Sequence, residues 1–333
     1  MRVTGDVDPA PDLTVLVPCY QEGDQVDTVY ATIDRELSRR YPNLQILFVD
    51  DGSTDHTLDR IKRLAASDPR VDYLSFSRNF GLEAAFSAGF RYARHTWVVQ
   101  LDADLQSPPA EVPRLVAMAL RGYDVVYGIR RHRQDPALRR WGSTWQQFLA
   151  RRLFGVSLVP GASVFRVIRA DVARRAVALR LATPYFIATL PLLGARAATV
   201  EVSHARRATG GSRWRPWRLV SHSFELFFGF SQRPLVWLYA AAAVGAAILI
   251  VAALAGATDG RLLLAGQALV LASMAVVAAY VHRLVRGSPR PALYYVREAN
   301  IPVAAEDSLY GNSLYGNSLY GDSQSREQRE TVS

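Results

Sequence analysis

Val98-Val99-Gln100-Leu101-Asp102-Ala103-Asp104-Leu105-Gln106 is an apolar run that ends in two carboxylates and an amide. A run of this kind reads as a strand buried on both faces that delivers polar groups at its carboxyl end. Alternation points Asp102, Asp104 and Gln106 to the same side for as long as the segment stays extended. Asp-X-Asp alone describes many solvated turns; the apolar strand before it and Pro108-Pro109 after it favour a functional reading here. Oxygen ligands such as these suit Mg2+ or Mn2+, ions that bridge phosphates and neutralise a departing diphosphate.

Other short apolar runs flank this one at residues 13–17, 44–49, 71–76, 97–101 and 125–127, with amphipathic segments between them. Strands alternating with helices predict an α/β fold with a mostly parallel sheet. Such sheets bind ligands beyond the carboxyl ends of their strands. Those ends carry Pro18-Cys19-Tyr20, Asp50-Asp51-Gly52-Ser53 and Asp102-Ala103-Asp104. In Asp50-Asp51-Gly52-Ser53-Thr54-Asp55, helix capping accounts for Thr54 or Asp55 but leaves Asp50 and Asp51 to hydrogen-bond a base or ribose.

At 333 residues, half of them hydrophobic, the chain holds one large domain or two ordinary ones. The net charge is +9 and Lys62 is the only lysine, so the excess is arginine, which suits bidentate phosphate contacts. Net charge alone fits nucleic acid, an anionic membrane or phosphorylated small molecules. The position of the arginines, around two apolar stretches, favours membrane and phosphate over nucleic acid. Cys19 is the only cysteine, so no internal disulfide forms, and its place at a strand end reads as structural. Residues 1–12 form a polar tail without a secretory apolar run.

Beyond the domain at 13–214 the composition changes. Residues 235–257 and 262–281 are uncharged and apolar, each long enough to span about 30 Å of hydrocarbon as a helix. Thr258-Asp259-Gly260-Arg261 makes the two an antiparallel hairpin within 234–285. Arg206, Arg207, Arg213, Arg215, Arg218 and Arg233 precede it and Arg283, Arg286, Arg290 and Arg297 follow it, so both termini and the first domain are expected in the cytoplasm of a multi-pass membrane protein. The alternative is a buried helical hairpin in a soluble protein. Residues 215–233, with Trp217, Val220, Phe224, Phe227 and Phe228 at helical spacing, fit a helix lying in the interface or one facing the core. A cytoplasmic juxtamembrane segment is expected at 286–307. Three copies of Ser-Leu-Tyr-Gly within 308–333 read as a disordered tail.

Val17-Pro18-Cys19-Tyr20-Gln21-Glu22, the Asp50 to Asp55 run, Ser77-Arg78-Asn79-Phe80-Gly81 and the Leu101 to Pro109 run, in this order and spacing, resemble the inverting glycosyltransferases of family 2. The likeness is to the polyprenyl-phosphate branch typified by dolichol-phosphate mannose synthases. Tyr123-Asp124-Val125-Val126, residues 130–135 and His204-Ala205-Arg206-Arg207 resemble, more closely still, the bacterial undecaprenyl-phosphate 4-deoxy-4-formamido-L-arabinose transferases, over about residues 13 to 297 and including the hairpin.

The resemblance implies a GT-A nucleotide-diphospho-sugar transferase fold. It also implies metal-dependent, inverting transfer of a sugar from a nucleotide-sugar to undecaprenyl or decaprenyl phosphate for the cell envelope, by a homotetramer. Pro18, Tyr20, Glu22, Asp50, Asp51 and Asp102 would hold the nucleotide, Asp102, Asp104 and Gln106 the Mg2+ or Mn2+, and Asn79 and Gly81 the floor of the sugar pocket. Arg207, Gly211, Ser212 and Arg213 would meet the acceptor phosphate, with Arg130, Arg131 and Arg133 a second phosphate-facing group; a solvated basic face is the alternative for both.

One departure stands out: Pro160 and Gly161 occupy the places where an acidic residue usually precedes the arginine that aligns with Arg166. A phosphate monoester, already largely dianionic at neutral pH with a second pKa of about 6, needs positioning more than deprotonation. Two other readings remain: a catalytically silent membrane scaffold of the same descent, and a processive polysaccharide synthase, whose Gln-X-X-Arg-Trp is absent.

Overall fold

The protein was analysed as a computed structural model, which describes residues 10–130, 159, 162–179, 185–203, 240, 242–245, 247, 250–251, 260–286 and 292–310. The first half alternates as the apolar runs predict: β1 (Leu13–Cys19), α1 (Val26–Leu37), β2 (Leu44–Asp50), α2 (Thr57–Ser67), β3 (Val71–Phe76), α3 (Leu82–Tyr92), β4 (Trp97–Gln100), α4 (Val112–Ala119) and β5 (Val125–Arg130). β6 (Ala162–Arg169), α5 (Ala170–Ala178), α6 (Phe186–Leu192), β7 (Ala197–Val202), α7 (Gly260–Arg286) and β8 (Val296–Ala299) follow.

All eight strands form one sheet in the order β7-β5-β6-β4-β1-β2-β3-β8. β4, β1, β2 and β3 run parallel, as do β5 and β7, whereas β6 and β8 run against their neighbours. β1, β2, β3 and β4 are buried at every position because both faces are covered. Val15, Val17, Ile46 and Phe48 face the side packed by α1, α2 and α4, while Leu16, Leu47 and Val49 face Phe86, Phe90 and Phe186 of α3 and α6. α3 lies so near β1 that a Cβ on Gly89 would fall 2.2 Å from Leu16 Cδ1.

β1 pairs with β2 on one side and β4 on the other, so the chain reverses its direction of travel across the sheet between β1 and β4. A crevice opens beyond the carboxyl ends of strands at such a reversal, where the connections leave in opposite directions.

Two readings change on contact with the fold. The strand carrying the carboxylates ends at Gln100, and Asp102 to Gln106 form a turn in which Leu105 has φ +53° and its N–H meets Asp102 O at 3.2 Å. The extended alternation expected through Gln106 therefore stops. Residues 292–310, read as juxtamembrane segment and start of a disordered tail, pack on the sheet edge. β8 pairs with β3, Tyr294 and Val296 are buried, and Leu309 N–H bonds Val296 O at 2.9 Å. An unpaired edge at β3 supplies the backbone partners that sequence pattern does not reveal.

α7 has 27 residues, although several of its side chains lie outside the described set. Counted over the described residues, no helix is long and apolar enough to cross a membrane. Of the hairpin expected at 235–257 and 262–281, most of the first helix lies outside the described residues, as does the segment at 215–233.

Candidate active site

A cleft of about 310 Å3 occupies the crevice at the β1–β4 reversal, lined by Pro18 and Cys19 at the end of β1, Tyr20 and Glu22 after it, Asp51 after β2, Asn79, Gly81, Leu82 and Ala85 around the start of α3, and Asp102, Ala103 and Asp104 after β4. Eight residues singled out from sequence, Pro18, Tyr20, Glu22, Asp51, Asn79, Gly81, Asp102 and Asp104, meet here. Four chain segments form the rim, and identifiable bonds fix them.

The β1–α1 loop is held by the segment after β2. Gln21, at φ +58°, gives its N–H to Ser53 Oγ (3.0 Å), Glu22 N–H goes to Thr57 Oγ1 (3.0 Å) and Gly23 N–H to Asp55 Oδ2 (3.2 Å). Tyr20 is left 47% exposed, a ring face available for stacking on a base. Cys19 is buried, and desolvation by burial with the neighbouring Asp50 pushes its thiol well above the ordinary range, which fits the structural role expected of it.

The pair Asp50 and Asp51 divides. Asp50 is fully buried behind the cleft, accepting from Ser53 N–H at 3.1 Å and Ser75 Oγ at 2.7 Å, and does not line it. Asp51 lines it and accepts the N–H groups of Phe80 (2.7 Å) and Gly81 (2.9 Å), while burial raises its pKa against those bonds. Between its neighbours, Gly52 sits at φ +68°, where a Cβ would come within 2.3 Å of the Arg78 backbone. Only glycine fits both the conformation and the space.

Asp104 accepts from its own turn, Gln106 N–H at 3.1 Å and Gln106 Nε2 at 2.6 Å. Gln106 thereby orients the Asp104 carboxylate but does not itself line the cleft, so the structure does not bring it to the ligand side with Asp102 and Asp104. Asp102 and Asp104 open on the same cleft. Among the described residues no group of three or more His, Cys, Asp or Glu assembles a site. Two carboxylates without a closed protein cage fit an oxygen-preferring ion that draws further ligands from water and substrate phosphates, which is how Mg2+ is ordinarily bound.

Below the cleft lies a cluster that motif reading did not single out as functional. Arg166 of β6 is 1% exposed, donates from Nε to Gln100 Oε1, and leaves Nη1 without a partner. Glu83, in the first turn of α3, takes Phe186 N–H at 3.4 Å, and burial lifts its pKa to about 7 although Arg166 opposes the shift. The signal for Glu83 was a lone acid among Leu82, Ala84, Ala85 and Phe86.

Arg131, Arg133, Arg207, Gly211, Ser212 and Arg213, together with Pro160 and Gly161, lie outside the described residues, and Arg130 is described only as the last position of β5.

Comparison with known proteins agrees with this placement. The family model described as Glycosyl transferase family 2 matches residues 14–176, which span β1 to α5. An undecaprenyl-phosphate 4-deoxy-4-formamido-L-arabinose transferase of Pseudomonas syringae pv. syringae is 32% identical over 322 residues, covering 90% of this chain and 94% of the relative. An uncharacterised glycosyltransferase of Synechocystis sp. is 32% identical over 237 residues, 68% of this chain and 72% of that protein. Among solved structures, a mannosyltransferase from Pyrobaculum calidifontis in complex with GDP-Man and Mn2+ aligns at 20% identity with a TM-score of 0.46, covering 84% of this chain and 88% of that one. The chain belongs to glycosyl transferase family 2 and is a glycosyltransferase.

Proposed function

We propose that this glycosyltransferase moves a sugar from a nucleotide-sugar to a polyprenyl phosphate at the cytoplasmic face of a membrane, with inversion at the anomeric carbon. The observation that carries the reading is the convergence of Tyr20, Asp51, Asn79, Asp102 and Asp104 on one cleft at the sheet's reversal. Tyr20 stacks on the base, Asp51 and Glu22 receive hydrogen bonds from base or ribose, and Asn79 and Gly81 shape the sugar's floor.

Asp102 and Asp104, the latter oriented by Gln106, are the residues that would hold Mg2+ or Mn2+, which when bound neutralises the charge of the leaving diphosphate. A phosphate oxygen of the acceptor attacks the anomeric carbon as the bond to the nucleoside diphosphate breaks, so one carbon–oxygen bond replaces another and no proton need be removed by the protein. Loss of an acid at Pro160-Gly161 is compatible with that chemistry. Arg207 and Arg213, which lie in the sequence between the catalytic domain and the apolar stretches, are the guanidinium groups that would meet the lipid phosphate.

The membrane assignment rests on uncharged residues 235–257 and 262–281, on arginines at their outer ends, and on exposed apolar side chains of α7 such as Leu264, Leu271 and Met274. The likeness to undecaprenyl-phosphate transferases over nearly the whole chain supports the acceptor. Mass spectrometry of lipid products formed from a panel of nucleotide-sugars tests the reading. A sugar attached through a single phosphate to the polyprenol is expected; a product with the sugar on a protein, a polysaccharide or water alone would overturn it.

A further inference from the structure

The strap at residues 292–310, which follows α7 in the chain, is bonded to the wall of the cleft as well as to the sheet edge. Ser77 N–H donates to Tyr295 O at 2.9 Å, which fixes the first residue of the loop that carries Asn79 and Gly81. Tyr294 stacks on Phe76 at 4.9 Å with the rings 11° apart. Phe76 meets Phe80 edge-on at 5.8 Å, and Phe80 also packs beside Tyr295 at 6.3 Å. The backbone of Phe80 and Gly81 in turn supplies both N–H groups that Asp51 accepts. An unbroken set of contacts therefore runs from the strap, through Phe80, to a carboxylate lining the cleft.

The strap is itself clamped. Asp307, 7% exposed, accepts from Tyr92 Oη at 2.6 Å and Tyr294 Oη at 3.1 Å and pairs with Arg91 Nε at 3.1 Å, while its carbonyl takes Val296 N–H at 2.7 Å. Asn300 closes the other end on the backbone of Val71 and Tyr73. A second link reaches behind the cleft: Arg297 Nη2 lies 3.4 Å from Ser75 Oγ, which donates to the buried Asp50.

We propose that Tyr295, anchored by Tyr294 and Asp307, is a positioning residue for the donor pocket: the strap holds the Ser77–Gly81 loop so that Asn79, Gly81 and Asp51 face the nucleotide-sugar. The inference rests on reading the cleft as the donor pocket. It makes donor binding depend on a segment more than 200 residues away in sequence from the residues it positions, on the far side of the apolar stretches. A loop bonded only at its β3 end would sample conformations in which the Phe80 and Gly81 amides leave Asp51, and affinity falls by the fraction of time spent there.

The test uses the full-length chain in detergent and isothermal titration with UDP, GDP, CDP and dTDP, each with Mn2+, beside transfer kinetics. Tyr295→Ala removes the ring against Phe80 from a half-buried position, and the dissociation constant for the best-binding diphosphate should rise about five- to tenfold. The number of sites per chain should stay at the wild-type value, and the KM for lipid phosphate should not move. Tyr295→Phe, which keeps the ring, should restore affinity, and Asp307→Asn, which loosens the clamp, should weaken it in the same sense. A merely structural strap would instead lower the number of competent sites without changing the affinity of those that remain, and that outcome, or wild-type affinity in both Tyr295→Ala and Asp307→Asn, overturns the proposal. If wild type binds a diphosphate but glycosylates no lipid phosphate, the proposed acceptor is wrong while the strap's role is still decided by the binding data. A wild-type chain that binds no diphosphate overturns both.

Discussion

Replacing Glu83 by Gln isolates one ionisation beneath the cleft. The side chain is half-buried in the first turn of α3 and accepts Phe186 N–H. Burial raises its pKa from 4.5 to about 7, with Arg166 and the Phe186 bond pulling the other way. Arg166 and Tyr185 are the charged and titratable groups whose influence reaches it from β6 and from the residue before α6. A carboxyl whose folded pKa lies above its unfolded value prefers to be protonated in the fold. Its contribution to stability is complete below about pH 4.5 and is lost as pH rises through about 7. At about 1.4 kcal/mol per pKa unit, the gap corresponds to about 3 kcal/mol.

Gln matches the shape, keeps an acceptor for Phe186 and cannot ionise, so the variant should equal wild type near pH 4.5 and exceed it by up to about 3 kcal/mol at pH 8.5. Chemical denaturation of both proteins in the same detergent at pH 5 and pH 8.5 reads this as a difference of differences. Parallel stability curves would refute the reasoning. A variant weaker than wild type at high pH would mean that the Arg166 charge outweighs burial and that Glu83 titrates below 4.5.

Three further outcomes follow from the site. Asp104→Ala should leave folding intact, because the residue sits in a turn and not in the core, yet lower transfer by on the order of a hundredfold or more and abolish its response to added Mn2+; full activity in the variant, or in wild type with chelator, would remove the metal assignment. Gly52→Ala combines a left-handed φ of +68° with a Cβ at 2.3 Å from the Arg78 backbone, so nucleotide binding should be lost and stability reduced by at least about 2 kcal/mol; a wild-type melting curve would contradict this. Arg207→Ala and Arg213→Ala should each cost about 2 kcal/mol, about thirtyfold, in use of lipid phosphate while leaving nucleoside diphosphate affinity unchanged, with Lys giving partial recovery; equal losses in both would assign them to the donor.

Local pattern identified some elements and missed others for physical reasons. β1 to β4 are buried on both faces, so their apolar runs announce them, and the residues at their ends follow once the sheet is taken as parallel. β6 carries Arg166 and Arg169, and β7 alternates exposed and half-buried positions; both owe their conformation to partners rather than to composition. β8 pairs with β3 across more than 200 residues, a contact no local window contains. Alternation misplaced Gln106 because it assumes a strand, and the chain turns at Leu105 as soon as the ladder to β1 and β6 ends at Gln100.

The two halves of the proposed reaction are built differently, and this bears on what substitutions can separate. The donor-side segments are braced: the β1–α1 loop on Ser53, Asp55 and Thr57, the Ser77–Gly81 loop on Asp51 and the strap, and Asp104 within its own turn by Gln106. Such ties settle the ordering cost at folding rather than at binding, so nucleotide affinity is sensitive to changes far from the nucleotide, as at Gly52 or Tyr295. The arginines proposed for the acceptor lie between β7 and α7 in the chain, away from those three segments in sequence. Donor and acceptor defects should therefore be genetically separable, with loosening of any rim segment acting on nucleotide affinity and loss of a guanidinium acting on lipid-phosphate use. A strap variant combined with Arg207→Ala should show additive losses, whereas strong coupling between them would place the arginine on the donor's own wall.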